Sequence, residues 1–291
     1  MIILVGVIVV IASVLGGFVI EEGNVATLMH PSELLIIGGA ALGAMITMSP
    51  KKVLLDLVRQ VLQALKGTPF KRKAYDELFM VLYELFLLGR RNGLIALEEH
   101  LITPASSAIF QRYPSVAQNK DGVEFLCGAL RPVIDGRVKA DQLRQLLETD
   151  LNRMEEEGHA PIDVLTRTGD ALPGFGIVAA VLGIVITMGA IAGPIEKIGL
   201  KVAAALVGTF LGIFLAYGIV NPIATNMEFN MGARLAYFRC IAAAVVSFAG
   251  GMAPGMAVEL ARRGLSEELR PGADELEKML KSLNANAAPA K

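Results

Sequence analysis

The stretch DALPGFGIVAAVLGIVITMG, residues 170–189, decides how the rest of the chain is read. Past Asp170 it holds no ionisable side chain, and as a helix it is long enough to cross roughly 30 Å of hydrocarbon. Gly176, Ala180, Gly183 and Thr187 follow one another at steps of four, three and four, which puts them on one helical face. Small faces let membrane helices approach closely, where packing rather than hydrophobicity drives association.

Working outward, three further apolar stretches have spanning length: Ile2–Ile20, 34–48 and about 202–220. Together they raise the hydrophobic fraction to 54%, above the roughly 45–50% of soluble domains. No Lys or Arg precedes Lys51, so the first stretch lacks the basic n-region of a cleaved signal and is expected to be a retained span. The fold class that follows is all-α, a polytopic membrane protein with four transmembrane helices and a helical cytoplasmic domain. Residues 1–50 hold spans one and two with a short loop. Residues 51–168 form the hydrophilic domain, 169–223 spans three and four, and 224–291 a charged tail.

Orientation follows from Lys and Arg near the membrane. The first loop has none and the turn AGPIEKIGLK between spans three and four has two, Lys197 and Lys201. Residues 51–168 carry 17 and those after Pro222 carry eight, so both belong in the cytoplasm together with the N-terminus.

The hydrophilic parts read as helices. AYDELFMVLYELFLLGRRNG has apolar residues near helical period, with a stop at Asn92-Gly93 and a new start near LIALEEHL. DQLRQLLETDLNRMEEE and ADELEKMLKSL repeat the amphipathic pattern, and NANAAPAK is expected to be disordered. The apolar run 241–258 is interrupted by Gly250-Gly251 and Pro254, which favours a broken helix packed on the cytoplasmic domain over a fifth span.

Span four repeats the texture of span three, with Gly208, Gly212 and Ala216 at four-residue spacing and Thr209 beside them. These faces either pack the two spans together or line a conduit shared with another chain. Pro173 and Pro222 stand where the two spans meet the cytoplasm. The plain reading is punctuation, a proline in a first turn capped by Asp170 and a proline after a helix end. The functional reading is a pair of hinges. No Asp, Glu, Lys, Arg or His lies within 2–20, 34–48, 172–192 or 202–220. Ion pathways are marked by such groups, so a transporting role would require a carboxylate borrowed from a partner, and a buried carboxylate native to the chain would contradict that idea.

The net charge of −1 gives no reason to expect nucleic acid. Cys127, Cys240, His30, His100 and His159 are scattered, and no metal site, cofactor or enzymatic constellation is expected.

Taken together, DALPGFGIVAAVLG, LVGTFLGIFLAYGIVNP, LGRRNGLIALEEHL and RPVIDG resemble the MotA family of flagellar motor stator subunits, of the proton-driven type. The resemblance covers nearly the whole chain. It implies a ring of copies, five by the family pattern, around a dimer of MotB, whose single span carries the titrating aspartate. It also implies a rotor partner, FliG. Arg90 and Glu98 match the family's rotor-facing charges, with Arg91 and Glu99 beside them as alternatives. Pro173 and Pro222 match its two essential prolines, Asp170 an acid near the third span, and Thr209 a pore-facing threonine. Ala180 stands where sodium-driven relatives carry threonine, which implies protons. On residues alone Arg90 and Glu98 are ordinary solvated helix ends. Other readings are an energising subunit like ExbB or TolQ, which have one span ahead of the cytoplasmic region instead of two, and a membrane scaffold without an ion role.

Overall fold

A computed structural model describes residues 2–189 and 194–286, without the side chains of 196, 197 and 284–286. Among the described residues there are helices and no strands. In chain order they are α1 (Ile2–Ile20), α2 (Pro31–Met48), α3 (Lys51–Lys66), α4 (Arg72–Asn92), α5 (Glu98–Ile102), α6 (Ala108–Gln111), α7 (Pro114–Ala117) and α8 (Lys120–Ile134). Then follow α9 (Ala140–Met188), α10 (Ile195–Leu215), α11 (Asn221–Ala249), α12 (Pro254–Arg263) and α13 (Ala273–Asn286). The chain divides into two units, residues 1–67 with 157–231 and residues 68–156 with 232–291. Among the described residues four helices are long and apolar enough to cross a membrane: α1, the segment Val25–Met48, α9, and the continuous run Ile198–Ala249.

The first unit holds the spans. In α1 no residue is buried, as expected of a helix whose surroundings are not water. The unit's core is small, with Ile37, Ala41, Leu172, Ala179 and Ala216 at its centre. Span two begins three residues earlier than the sequence suggests, because Pro31 at the first helical position is preorganised for the helix.

The second unit is packed like a soluble domain. Along α4, Tyr75, Leu78, Phe79, Leu82, Leu85 and Phe86 are fully buried. They meet Leu126 and Leu130 of α8 and Phe238, Ile241, Val245 and Phe248 of α11 in one cluster. Phe86 stacks on Phe248 at 4.4 Å between ring centroids, and Phe125 meets Phe238 edge-on at 5.1 Å. The helix α4 ends at Asn92 because Gly93 takes φ +86°, a conformation only glycine adopts freely. The run 241–258 breaks after Ala249, turns through Gly251 at φ +87°, and restarts at Pro254 with both halves in the core.

Two expectations need correction. DQLRQLLETDLNRMEEE is not a separate helix, because α9 runs without a break from Ala140 to Met188, past Pro161 and Pro173. AGPIEKIGLK is not a turn along its whole length, since α10 begins at Ile195. Residues 190–192 of the expected third span, and 287–291 of the expected disordered tail, lie outside the described residues, while 284–286 belong to α13.

Candidate functional site: paired helix joints and a charged rim

Within the first unit, α9 and α10 meet through glycines. A Cβ on Gly176 would come within 2.8 Å of the Gly208 carbonyl oxygen, and one on Gly212 within 2.6 Å of the Leu172 carbonyl oxygen. One on Gly183 would stand 2.8 Å from the Ala205 Cβ, and one on Gly208 3.1 Å from that of Ala179. Real Cβ atoms do not tolerate most of these contacts, so the backbones touch only because side chains are absent. Gly176 and Gly183, expected as lining of an ion pathway, are therefore placed between spans three and four of the same chain. Ala180 is buried on this face as well. Thr187 is buried, and its hydroxyl donates to the Gly183 carbonyl at 2.7 Å, the usual way a membrane helix satisfies a threonine. Thr209 is half-buried, with its backbone against Gly176.

The two prolines sit in helices that do not stop. Pro173 lies deep inside α9, so it is neither in a first turn nor capped by Asp170. Its missing N–H leaves the carbonyl of Gly169, four residues back, without its helical partner. Pro222 does not close span four either. The helix widens into a π turn over residues Ala216–Val220, and the Asn221 N–H donates to Ala216, five residues back. That extra residue relieves the clash a proline makes with the carbonyl four positions earlier, and the helix continues as α11.

These two irregularities are side by side. Asn221, one residue before Pro222, donates from Nδ2 to Asp170 Oδ1 at 3.0 Å. Its Oδ1 is buried without a hydrogen-bond partner and rests on Gly169, where a Cβ would stand 1.9 Å from it and force the side chain to move. Asp170 is thus an acceptor tying one joint to the other. By sequence Asn221-Pro222 has the look of a close to span four.

Span two carries an acid at its start. Glu33, left in a loop when span two was drawn from residue 34, lies in the first turn of α2 and is 5% exposed. The absence of ionisable groups holds for 34–48 but not for the whole of α2. The side chain occupies the third helical position, among backbone amides that have no partner within the helix.

The charged rim belongs to the second unit. Arg90 is exposed in the last turn of α4, and its Nη1 donates to the Gly251 carbonyl at 3.3 Å. Glu98 opens α5 and is exposed, as are Arg91 and Glu99. Between them Leu97 is fully buried, and a Cβ on Gly89 would meet Leu97 at 3.1 Å and Phe248 at 3.3 Å, so the connection is clamped to the core. Ile95 and Ile102 nevertheless point outward. Arg91, unlike Arg90, lines a cavity of about 480 Å³ together with His100 and Arg112.

Fold and site together define a polytopic, all-helical membrane protein whose last two spans are jointed at one level and continue as long helices. Residues 118–239 match the MotA/TolQ/ExbB proton channel family, and residues 4–93 match the motility protein A N-terminal family. Motility protein A of Salmonella typhimurium is 34% identical over 97% of this chain and 96% of its own length. Motility protein A of Escherichia coli is 33% identical over the same shares, and chemotaxis protein LafT of Vibrio parahaemolyticus is 36% identical over 94% of this chain and 96% of its own. The flagellar MotAB stator complex from Bacillus subtilis superposes with a TM-score of 0.74 at 25% identity, covering 94% of this chain and 98% of that one. The C. jejuni MotAB structure shares the fold, with a TM-score of 0.78 at 22% identity and coverage of 93% and 98%. The chain belongs to the motility protein A family, the stator subunits of the flagellar motor.

Proposed function

We propose that copies of this chain form a ring, five by the family pattern, around a MotB dimer in the bacterial inner membrane, with both termini cytoplasmic. The complex conducts protons and turns their flow into torque on the rotor protein FliG. The observation that carries this reading is the tie between the two joints, Asp170 to Asn221, beside Pro173 and Pro222. Each joint weakens one helix at the same level of the first unit. A displacement of spans three and four is then taken up there, and the helices beyond move as bodies.

The proton pathway borrows its acid. Spans three and four meet through glycine and alanine, and Thr187 spends its hydroxyl proton on its own helix. The Ala180 side chain offers no hydroxyl for a hard cation, which supports protons over sodium. Protonation of the MotB aspartate removes a charge, changes where that side chain is best placed against the ring, and releases a step. Arg90 and Glu98, with Arg91 and Glu99, meet the rotor. Exposed charge pairs contribute about 0–1 kcal/mol, which suits a contact made and broken at every step. The family match over residues 4–93, which includes two spans ahead of the charged unit, favours this reading over a TolQ- or ExbB-like subunit.

The test is co-purification with the product of the neighbouring gene, followed by proton flux in vesicles with and without that partner's membrane aspartate. Flux is expected only with both proteins and the aspartate present. A current from this chain in isolation would overturn the reading.

A further inference from the structure

The cavity of about 480 Å³ that Arg91 lines lies within the second unit, and three basic side chains from three elements meet in it. Arg91 comes from the last turn of α4, His100 from α5, and Arg112 from the residue that closes α6. Two of the three are held by other groups. The Arg112 Nε donates to the Ala108 carbonyl at 3.1 Å and its Nη2 donates to Glu84, which leaves Nη1 unspent. The His100 Nδ1 lies 2.8 Å from the Ser107 Oγ, and that oxygen already accepts from the Phe110 N–H at 3.4 Å. With the hydroxyl proton given to Nδ1, the neutral ring carries its hydrogen on Nε2 and is a donor there.

Among the described residues one acid, Glu84, lines the same cavity, and both its oxygens are taken. Its Oε1 accepts from the Tyr113 hydroxyl at 2.6 Å and its Oε2 from Arg112. The Arg91 guanidinium, by contrast, makes no ion pair or hydrogen bond among the described residues. The cavity thus holds one free guanidinium, a second that is half spent and fixed in place, and an imidazole donor. Leu88, Ile109 and Leu283 add an apolar wall.

We propose that this cavity binds a small organic phosphate of mononucleotide size, with its phosphate among Arg91, His100 and Arg112 and its ring portion against Leu88, Ile109 and Leu283. Two observations select that class. Guanidinium groups on two elements match the several oxygens of a phosphate in forked, charge-assisted hydrogen bonds. The volume falls in the range of roughly 300–1,000 Å³ typical of small-molecule sites, more than one acidic side chain of a partner would fill. A bound phosphate bridges α4 to α5 across Asn92-Gly93, the connection with Arg90 on one side and Glu98 on the other. It also offsets the charge of Arg91. That occupancy then alters the rotor contact rests on the proposed stator reading; the binding itself does not.

The experiment uses the complex with its membrane partner in nanodiscs and radiolabelled AMP in equilibrium dialysis. Binding should saturate at one AMP per copy of this chain. Unlabelled AMP and pyrophosphate should displace the label, and adenosine should not. Arg91→Gln should weaken binding at least tenfold, and Arg91→Lys at least threefold, because an ammonium keeps the charge and loses the fork. Arg137→Gln, an exposed cation paired with Asp135 and outside the cavity, should stay within twofold of the parent. No saturation at millimolar AMP, displacement by adenosine as strong as by AMP, or equal binding by the Arg91→Gln and Arg137→Gln variants would overturn the proposal. A complex that binds AMP in this way yet conducts no protons would sink the stator reading and leave the site standing. One that conducts and turns the rotor without binding AMP would sink the site alone.

Discussion

The two units solve the same problem, holding helices together, by opposite means. In the second unit the contact is made by bulk: aromatic and aliphatic side chains of α4 and α11, with Phe86 stacked on Phe248. In the first it is made by absence: Gly176, Gly208 and Gly212 bring two backbones into contact. Water makes burial of apolar area worth about 25 cal/mol per Å², so large side chains hold the second unit. Between helices in lipid that force is missing, and close backbone packing takes its place. Filling space should therefore damage one unit, and emptying it the other.

The largest effect is expected at Gly176. Gly176→Leu would drive a side chain into the Gly208 carbonyl and the Gly212 backbone, which cannot move aside. The complex should fail to assemble and motility should vanish. Gly174→Leu, on the same helix with nothing within 4 Å, should leave assembly intact in native gel electrophoresis. If both variants assemble alike, close packing of α9 on α10 is not what holds the spans.

In the second unit the reverse change matters. Phe248→Ala removes a buried ring from the Phe86 stack and should lower stability by about 3–5 kcal/mol, seen as a fall in unfolding midpoint. Pro222→Ala restores a helical N–H donor and removes the reason for the π turn. Torque should drop at least tenfold in a bead assay while complex abundance is unchanged, because the joint and not the packing is lost. Unaltered torque would return Pro222 to punctuation.

A smaller, pH-dependent term separates the units further. Hydrogen bonds from Arg262, and then from Arg263, hold Glu259 well below the usual carboxylate range, at about 2. Arg262 is itself buried and also donates to the Pro271 carbonyl at 2.7 Å. With a depressed folded pKa, the stabilisation is fully present above the ordinary value of 4.5 and is lost as pH falls from there towards 2. Allowing for the water around it, the term is about 1–2 kcal/mol. The unfolding midpoint should slope with pH in that window, and Glu259→Gln should flatten the slope.

How much of this was legible in the sequence follows the same division. The length of α1 and the end of α4 at Asn92-Gly93 were readable, because continuous apolar runs and a left-handed glycine are local signals. The joints were not. Asn221-Pro222 and Asp170-Pro173 look like helix ends, since proline normally excludes the helix before it. Only tertiary contact, Asn221 on Gly169 and Asp170, shows that both helices run through. The small faces were seen, but whether they pack within a chain or line a path depends on which neighbour they meet, and periodicity carries no such information. The start of α2 slipped for a plainer reason: Glu33 looked too polar for a span.

Glu33 gives the smallest expected effect and the sharpest use of the comparison. In the second unit the buried carboxylate is paired: Glu77 accepts from the Ser115 N–H at 2.7 Å and lies 3.7 Å from the Lys73 Nζ. In the first, Glu33 is buried in the opening turn of α2, at the end of the helix and away from its middle. It stands among backbone amides that have no helical partner, yet it is a buried carboxylate native to the chain, the one feature set against a borrowed acid. Glu33→Gln keeps the shape and removes the ionisation. Proton flux through the reconstituted complex with the partner should change less than twofold, whereas loss of the partner's aspartate should abolish it. Should Glu33→Gln silence the flux while the complex still assembles, the acid is native to this chain, and the division between an uncharged sleeve and a titrating partner no longer holds.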